Sequence, residues 1–141
     1  MTGETTLPAD LRVLLVEDEA IIAMTAEDML ADMGCQVVEV AATLADALRC
    51  AEGDGFDVAL LDVNLNGEDS KPVADRLRAL GKPFLFTTGY GSAGVDGSHP
   101  DAPVVMKPYQ IAQLEDGIGA ALGRQGAGVS SSTSSVDSNA G

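Results

Sequence analysis

The fold class of this chain is decided by one stretch, FDVALLD, at residues 56–62. Every residue between its two aspartates is apolar, which is typical of a strand that is covered on both faces. Glycines at positions 53 and 55 separate it from the segment before it. Such a strand belongs in the middle of a mainly parallel sheet with helices on both sides. The stretch therefore predicts an α/β protein.

Strand-like and helix-like patterns alternate on both sides of this stretch. Further strands are predicted at LRVLLV (11–16), QVVEVA (36–41), PFLFTT (83–88) and PVVM (103–106). Helices are predicted over about 19–33, 44–51, 72–80 and 111–124, with Thr43 and Asp46 capping the second, and Leu80 and Ile111 facing inward on the last two. Short loops between alternating elements favour a doubly wound, five-stranded parallel sheet with right-handed crossovers.

One connection lacks the pattern of a crossover helix. Residues 90–102 contain three glycines and a proline without an apolar stripe, so we predict a loop or a single weak turn there, with the lone histidine, His99, exposed and unpartnered. Residues 1–10 are predicted to be a flexible lead-in, residues 11–125 a single domain, and residues 126–141 a disordered Gly/Ser-rich tail.

Charge and composition exclude several classes of function. The chain has twenty-two acidic and eight basic residues, and its net charge is −14. This negative charge argues against binding to nucleic acid or to anionic membranes. The N-terminus resembles no signal peptide, and Cys35 and Cys50 follow no metal-binding or redox spacing. We expect a cytoplasmic monomer with two reduced, buried thiols.

Charged residues follow three of the predicted strands. Glu17 and Asp18 follow the first strand, Asp62 ends the third, and Lys107 follows the fifth. In a parallel sheet these side chains meet at the carboxyl edge, where α/β proteins bind ligands. Three carboxylates and one ammonium leave about two negative charges, which one divalent cation neutralises. The pattern predicts a site for Mg²⁺ and a phosphoryl group.

These motifs resemble the receiver domain of bacterial two-component response regulators. The resemblance covers roughly residues 11–125 and rests on four motifs in order, each at a strand end: Glu17-Asp18, Asp62 in LLDVNLNG, Thr88, and Lys107-Pro108. It implies a flavodoxin-like sheet of order 2-1-3-4-5. It also implies that Asp62 accepts a phosphoryl group from a histidine kinase or a phosphotransfer protein.

The resemblance implies a role for each site residue. Asp18, Asp62 and the backbone carbonyl of Asn64 would bind Mg²⁺ directly, and Glu17 would act through water. Phosphoryl oxygens would be held by Lys107 and by the hydroxyl of Thr88. The glycine-rich stretch adds a hypothesis for switching, in which the phosphoryl group draws in the Thr88 hydroxyl and the Gly89 amide, orders residues 89–102 and changes the partner surface. Asn64 and Tyr90 would tune the lifetime of the phosphoryl group.

Residues 83–90, PFLFTTGY, are similar to the PFxFATG(G/Y) signature of the "FAT GUY" single-domain regulators of alphaproteobacteria, with Thr87 in place of alanine. That resemblance implies a shortened or missing fourth helix, and some members act in general stress signalling. Two departures from ordinary receivers are Val104 at the usual aromatic switch position and Asn66 where a proline is common. Tyr90 or Tyr109 could replace the aromatic switch.

Three other functions each match part of the sequence. The glycine pattern GYGSAG (89–94) fits a dinucleotide site poorly, because no helix opens after it. A phosphatase of the haloacid dehalogenase type needs a second aspartate where Asn64 stands. A receiver-shaped binding module that is never phosphorylated stays open. The prediction is a phosphoacceptor without steady enzymatic turnover, whose output is contact with a downstream regulatory protein.

Overall fold

A computed structural model describes residues 7–89 and 99–123 of the chain. Five parallel strands form the main sheet in the order β2-β1-β3-β6-β7, and a small antiparallel hairpin pairs β4 with β5. The elements are β1 (Arg12–Val16), α1 (Ala20–Asp32), β2 (Gln36–Ala41), α2 (Leu44–Ala51), β3 (Val58–Asp62), β4 (Asn64–Leu65), β5 (Glu68–Asp69), α3 (Lys71–Ala79), β6 (Phe84–Thr88), β7 (Val104–Met106) and α4 (Ile111–Ala121).

The sheet separates two apolar cores, because successive strand residues point to opposite faces. One core joins alternate strand residues such as Leu15 and Leu60 to helices α1 and α4. The other joins Leu14, Leu61 and their counterparts to helices α2 and α3. Strand β3 lies in the centre of the sheet, and all five of its residues are buried. The predicted fold class and strand order are confirmed, with β6 and β7 as the predicted fourth and fifth strands.

The hairpin β4–β5 was not predicted. Its turn consists of Asn66 and Gly67, whose φ angles are 53° and 86°. Both residues are in the left-handed region that a type I′ hairpin turn requires, and Asn-Gly is the preferred dipeptide for that turn. The signal for this hairpin was therefore present in the sequence, but the two strands are too short to show an alternating pattern.

Two helix-end predictions were wrong. Leu80 and Ile111 were expected to face inward, but they are 38% and 43% exposed. Leu80 follows the last residue of α3, and Ile111 is the first residue of α4, so each lies at an end of its helix rather than in the middle of the packed stripe. The inward face of α4 consists of Leu114, Gly117, Ile118 and Ala121.

His99 was also predicted wrongly. Its side chain is buried at 7% exposure, and its Nε2 lies 2.7 Å from Oδ1 of Asp75 on α3. Its ring also packs edge-on against Phe84, with 5.4 Å between ring centroids. Asp75 precedes His99 by 24 residues in the sequence, so no local pattern indicated that the two side chains are partners. Residues 99–102 form a turn rather than a helix, and residues 90–98, the rest of the predicted loop, lie outside the described residues.

Contacts of the domain begin before residue 11. Leu7 is only 7% exposed, and the amide of Asp10 donates a hydrogen bond to the carbonyl of Gly34. The predicted tail, residues 126–141, lies outside the described residues. Cys35 and Cys50 are buried free thiols, and burial raises the pKa of both. No helix in the described ranges combines the length and apolarity that a membrane span needs.

Thr43 caps α2, as its spacing from Asp46 predicts. Its Oγ1 accepts a hydrogen bond of 3.1 Å from the backbone amide of Asp46. We expect Thr43→Ala to lower the free energy of unfolding by about 1 kcal/mol, because that amide loses its acceptor. Chemical denaturation measures the change. Thr43→Ser, which keeps the acceptor, is the matched control and should retain most of the stability.

Candidate functional site

The topology of the sheet brings four charged side chains to one place. Glu17 and Asp18 directly follow β1, Asp62 ends the neighbouring strand β3, and Lys107 directly follows β7. Strands β1 and β3 pair with Val16 opposite Leu61, so Glu17 emerges beside Asp62. Strand β6 lies between β7 and β3, so the long side chain of Lys107 reaches past β6 to Asp62 and further to Glu17.

Lys107 bridges two buried carboxylates. Its Nζ lies 2.7 Å from Oε1 of Glu17 and 3.2 Å from Oδ2 of Asp62. Glu17 and Asp62 are only 1% and 5% exposed. Burial acts to lower the pKa of Lys107, but its hydrogen bond to Glu17 and the charge of Asp62 outweigh this and raise that pKa. Lys107 therefore stays an ammonium ion.

Burial penalises the charged form of both carboxylates that Lys107 contacts. It raises the pKa of Glu17 to about 7, against the opposing hydrogen bonds from Lys107 and from the amide of Glu19. Burial also raises the pKa of Asp62, where the amide of Asn64 and the charge of Lys107 oppose it. Glu17 and Asp62 lie close together, and the single positive charge of Lys107 cannot offset the negative charges of both carboxylates.

Asp18 differs from these two because it is more exposed. Burial acts to raise its pKa, but a hydrogen bond from the amide of Asn66 is among several contacts that lower the pKa overall. That amide lies 3.0 Å from Oδ2 of Asp18. The amide of Gly67 in turn donates to the side-chain oxygen of Asn64 at 2.6 Å. The hairpin turn is thus tied to the acidic cluster, a contact that sequence reasoning missed.

The acidic cluster fits a magnesium ion. Glu17, Asp18 and Asp62 each offer a carboxylate oxygen, and these oxygens all lie within 4.8 Å of one another. Mg²⁺ prefers hard oxygen ligands, and it is commonly held by one or two carboxylates with water completing its shell of about six. The donor chemistry therefore matches the predicted ion, and the surplus negative charge supplies the attraction.

A pocket of about 730 Å³ opens over the cluster. Its walls come from α1, from the turn after β3, and from the segments after β6 and β7; the lining residues include Asp18, Ile22, Asp62, Asn64, Asn66, Gly89, Lys107 and Tyr109. Thr88 is fully buried at the end of β6 and is not among the lining residues, although its carbonyl accepts a hydrogen bond from the amide of Lys107. Tyr90, another predicted site residue, lies outside the described residues.

The two positions offered as switches differ in burial. Val104, at the position of the usual switch aromatic, is 38% exposed on β7. Tyr109 is buried at 6% exposure, follows the cis peptide bond between Lys107 and Pro108, and lines the pocket. Thr87, the departure from the signature in β6, is 1% exposed. Among the described residues, Tyr109 is therefore the aromatic side chain that lines the pocket.

Known proteins share this architecture. The family profile of the response regulator receiver domain matches residues 13–118. The phyllosphere-induced regulator PhyR of Methylorubrum extorquens is 33% identical over 122 residues, which are 82% of this chain and 46% of PhyR. The transcriptional regulatory protein PdtaR of Mycobacterium tuberculosis is 30% identical over 132 residues, which are 88% of this chain and 64% of PdtaR. The chain thus spans about half the length of PhyR and under two thirds of PdtaR.

Solved structures agree with the sequence matches. The solution structure of SdrG from Sphingomonas melonis Fr1 has a TM-score of 0.73 at 41% identity and covers 82% of this chain and 99% of SdrG. The BeF3-activated conformation of SdrG has a TM-score of 0.68 at 39% identity and covers 81% of this chain and 98% of that one. Fold, sequence and the matched family profile agree, and the chain belongs to the family of response regulator receiver domains.

Proposed function

We propose that Asp62 is the phosphoacceptor of this receiver, that Mg²⁺ is required for its phosphorylation, and that the phosphorylated form changes contacts with a protein partner. The observation that carries the proposal is the position of Asp62. Its carboxylate ends the central strand, lies 3.2 Å from the Lys107 ammonium and lines an open pocket together with Asp18, with the buried carboxylate of Glu17 close by.

The geometry suits an attack by the Asp62 carboxylate on a phosphorylated imidazole. A carboxylate oxygen forms the new O–P bond while the P–N bond breaks, and its electron pair stays on the imidazole nitrogen. Such transfers need alignment and neutralisation of charge more than covalent assistance. Lys107 lies beside the acceptor and contributes positive charge there, and the amide of Asn64 orients Asp62 through a hydrogen bond of 3.2 Å to its Oδ1.

The acidic set supports the dependence on metal. Glu17, Asp18 and Asp62 would hold the ion, together with the Asn64 carbonyl that the family resemblance implies. When bound, Mg²⁺ neutralises negative charge on the acidic cluster and on phosphoryl oxygens. The charge of this cluster exceeds what Lys107 alone offsets, so a phosphoryl group would enter an unfavourable field without a second cation.

The partners are proposed from the family. A histidine kinase or a phosphotransfer protein would supply the phosphoryl group in the cytoplasm, and a downstream regulatory protein would receive the signal. A role in stress signalling is supported by the similarity to PhyR, one structure of which is described as a stress response regulator. The roles of Thr88, Gly89 and Tyr90 in holding the phosphoryl group and setting its lifetime belong to the same proposal.

Intact mass spectrometry tests the proposal. We expect the protein, incubated with acetyl phosphate and Mg²⁺, to gain the mass of one phosphoryl group, and to gain none when EDTA replaces the metal. Asp62→Asn should remain unlabelled under both conditions. Asp57→Asn is the matched control, because Asp57 directly precedes the strand that Asp62 ends but pairs with Arg12 outside the pocket, and it should be labelled like the wild type.

Each alternative gives a different result. A binding module that is never phosphorylated would stay unlabelled in the wild type. A phosphatase of the haloacid dehalogenase type would release phosphate from esters with steady turnover instead of accumulating a single acyl phosphate. Labelling that persists in Asp62→Asn would assign the acceptor to another residue and would contradict the proposal.

A further inference from the structure

Among the described residues, one side chain that lines the acceptor pocket carries a buried hydroxyl group without a hydrogen-bond partner. Tyr109 is 6% exposed and lines the same pocket as Asp62 and Lys107. Among the residues of the described ranges, 7–89 and 99–123, its hydroxyl finds no hydrogen-bond partner. Buried hydroxyl groups in native proteins are nearly always hydrogen-bonded, so each exception calls for an explanation.

The packing of the ring does not explain the hydroxyl. The Tyr109 side chain belongs to the core between the sheet and helices α1 and α4, where its neighbours include Leu85, Leu114 and Ile118. Phenylalanine would supply the same apolar ring without burying a polar atom. Burial raises the pKa of the Tyr109 hydroxyl, which keeps it protonated and able to donate.

One side chain near the hydroxyl is polar but does not satisfy it. The Thr87 hydroxyl is close enough to act against burial and lower the pKa of Tyr109. It is nevertheless not placed with the distance and angles of a hydrogen bond, since the Tyr109 hydroxyl remains unpaired among the described residues. Tyr109 therefore keeps an unused hydrogen-bond donor among the described residues, in a side chain that also lines the pocket.

The hydroxyl also lies within the electrostatic influence of the acceptor site. The charges of Lys107, Glu17 and Asp62 act on it, and Tyr109 lines the same pocket as Lys107 and Asp62. Strand β6 pairs Thr87 directly with Asp62, which places the Thr87–Tyr109 pair next to the acceptor strand. In the unphosphorylated protein the Glu17 and Asp62 carboxylates are already engaged by Lys107, at 2.7 and 3.2 Å.

We propose that Tyr109 is a phosphoryl-binding residue, whose hydroxyl donates a hydrogen bond to an oxygen of the phosphoryl group on Asp62. This inference rests on the proposed function of Asp62. The bond forms only in the phosphorylated state, because only then does the pocket contain an additional anionic acceptor. The same contact makes the buried aromatic side chain at position 109 sensitive to phosphorylation, in a chain that has Val104 at the usual switch position.

Beryllofluoride, which mimics a phosphoryl group on a carboxylate, tests the inference with the variant Tyr109→Phe. Without ligand, we expect the thermal midpoint of Tyr109→Phe to equal or exceed that of the wild type, because the variant removes an unpaired buried hydroxyl. With Mg²⁺ and beryllofluoride, its apparent Kd should rise about tenfold, as for the loss of one hydrogen bond to a charged group. Thr87→Ala is the control, and its Kd should match the wild type.

Two results would overturn the inference. Equal beryllofluoride affinity in wild type and Tyr109→Phe would show that the hydroxyl makes no contact with the mimic. A less stable or unfolded Tyr109→Phe with an unchanged ligand-induced shift would show that the hydroxyl is bonded within the free protein. If the wild type binds no beryllofluoride and so behaves like Asp62→Asn, the proposed function of Asp62 is overturned as well. The failure of the Tyr109 inference alone is therefore distinguishable from the failure of the proposed function.

Discussion

Lys107→Met is expected to lower the free energy of unfolding of the metal-free protein by about 3 kcal/mol at pH 8. The lysine is the cation that contacts both Glu17 and Asp62, which are buried. Methionine has a similar length but no charge, so the two carboxylates would face each other uncompensated. Breaking a buried pair by removing one partner is costly because the remaining charge stays buried.

The loss should be smaller at pH 5 than at pH 8. The folded pKa of Glu17 is raised from 4.5 to about 7, so the folded state binds more protons than the unfolded state between these values. Stability contributed by this group therefore falls as the pH rises through that window. Lys107 is among the groups that lower the pKa of Glu17, and removing it extends the window upward.

Urea denaturation of EDTA-treated protein at both pH values measures the effect. Lys71→Met is the matched control, because Lys71 pairs with Asp75 at a solvent-exposed position and should contribute less than about 1 kcal/mol. Saturating Mg²⁺ should recover part of the loss in Lys107→Met, since the ion neutralises the same carboxylates. Equal losses in the two lysine variants would contradict this account of the acidic cluster.

Gly117→Ala should destabilise the protein by about 2 kcal/mol, although alanine is the better helix former. Gly117 lies on the inward face of α4, and a Cβ there would come within 2.6 Å of Cγ2 of Val105 and 3.1 Å of Cδ1 of Leu85. Both neighbours are buried strand residues with little room to move. The added methyl group would push α4 away from the sheet that carries Lys107.

Gly119→Ala is the control for this prediction. It lies in the same helix, but of the described residues its Cβ would meet only Leu7, at 3.9 Å from Cδ2. Helix propensity alone should then stabilise the protein, by up to about 1 kcal/mol. Chemical denaturation of the two variants should give changes of opposite sign. Two changes of the same sign would mean that α4 is not packed against β6 and β7 as closely as the structure indicates.

The accuracy of the sequence predictions differed between local and long-range features. Apolar strands, helix periodicity and the Thr43 cap depend on neighbouring residues, and these predictions agreed with the structure except at two helix ends, where Leu80 and Ile111 are exposed. The burial of His99 was missed because its partner, Asp75, comes from a helix 24 residues earlier. The contact between the amide of Asn66 and Asp18 joins residues 48 positions apart, and no local pattern announces it.

The sequence by itself determined the order and type of the main elements and the convergence of Glu17, Asp18, Asp62 and Lys107. It could do so because a parallel sheet places all carboxyl ends of its strands on one edge. Only the tertiary structure decided that Lys107 bridges Glu17 and Asp62, and that Tyr109 lines the pocket with a buried hydroxyl that has no partner in the described part of the chain. Those features depend on distances between the side chains of separate elements. The packing of α1 and α4 against the sheet sets these distances, and the periodicity of the sequence does not encode them.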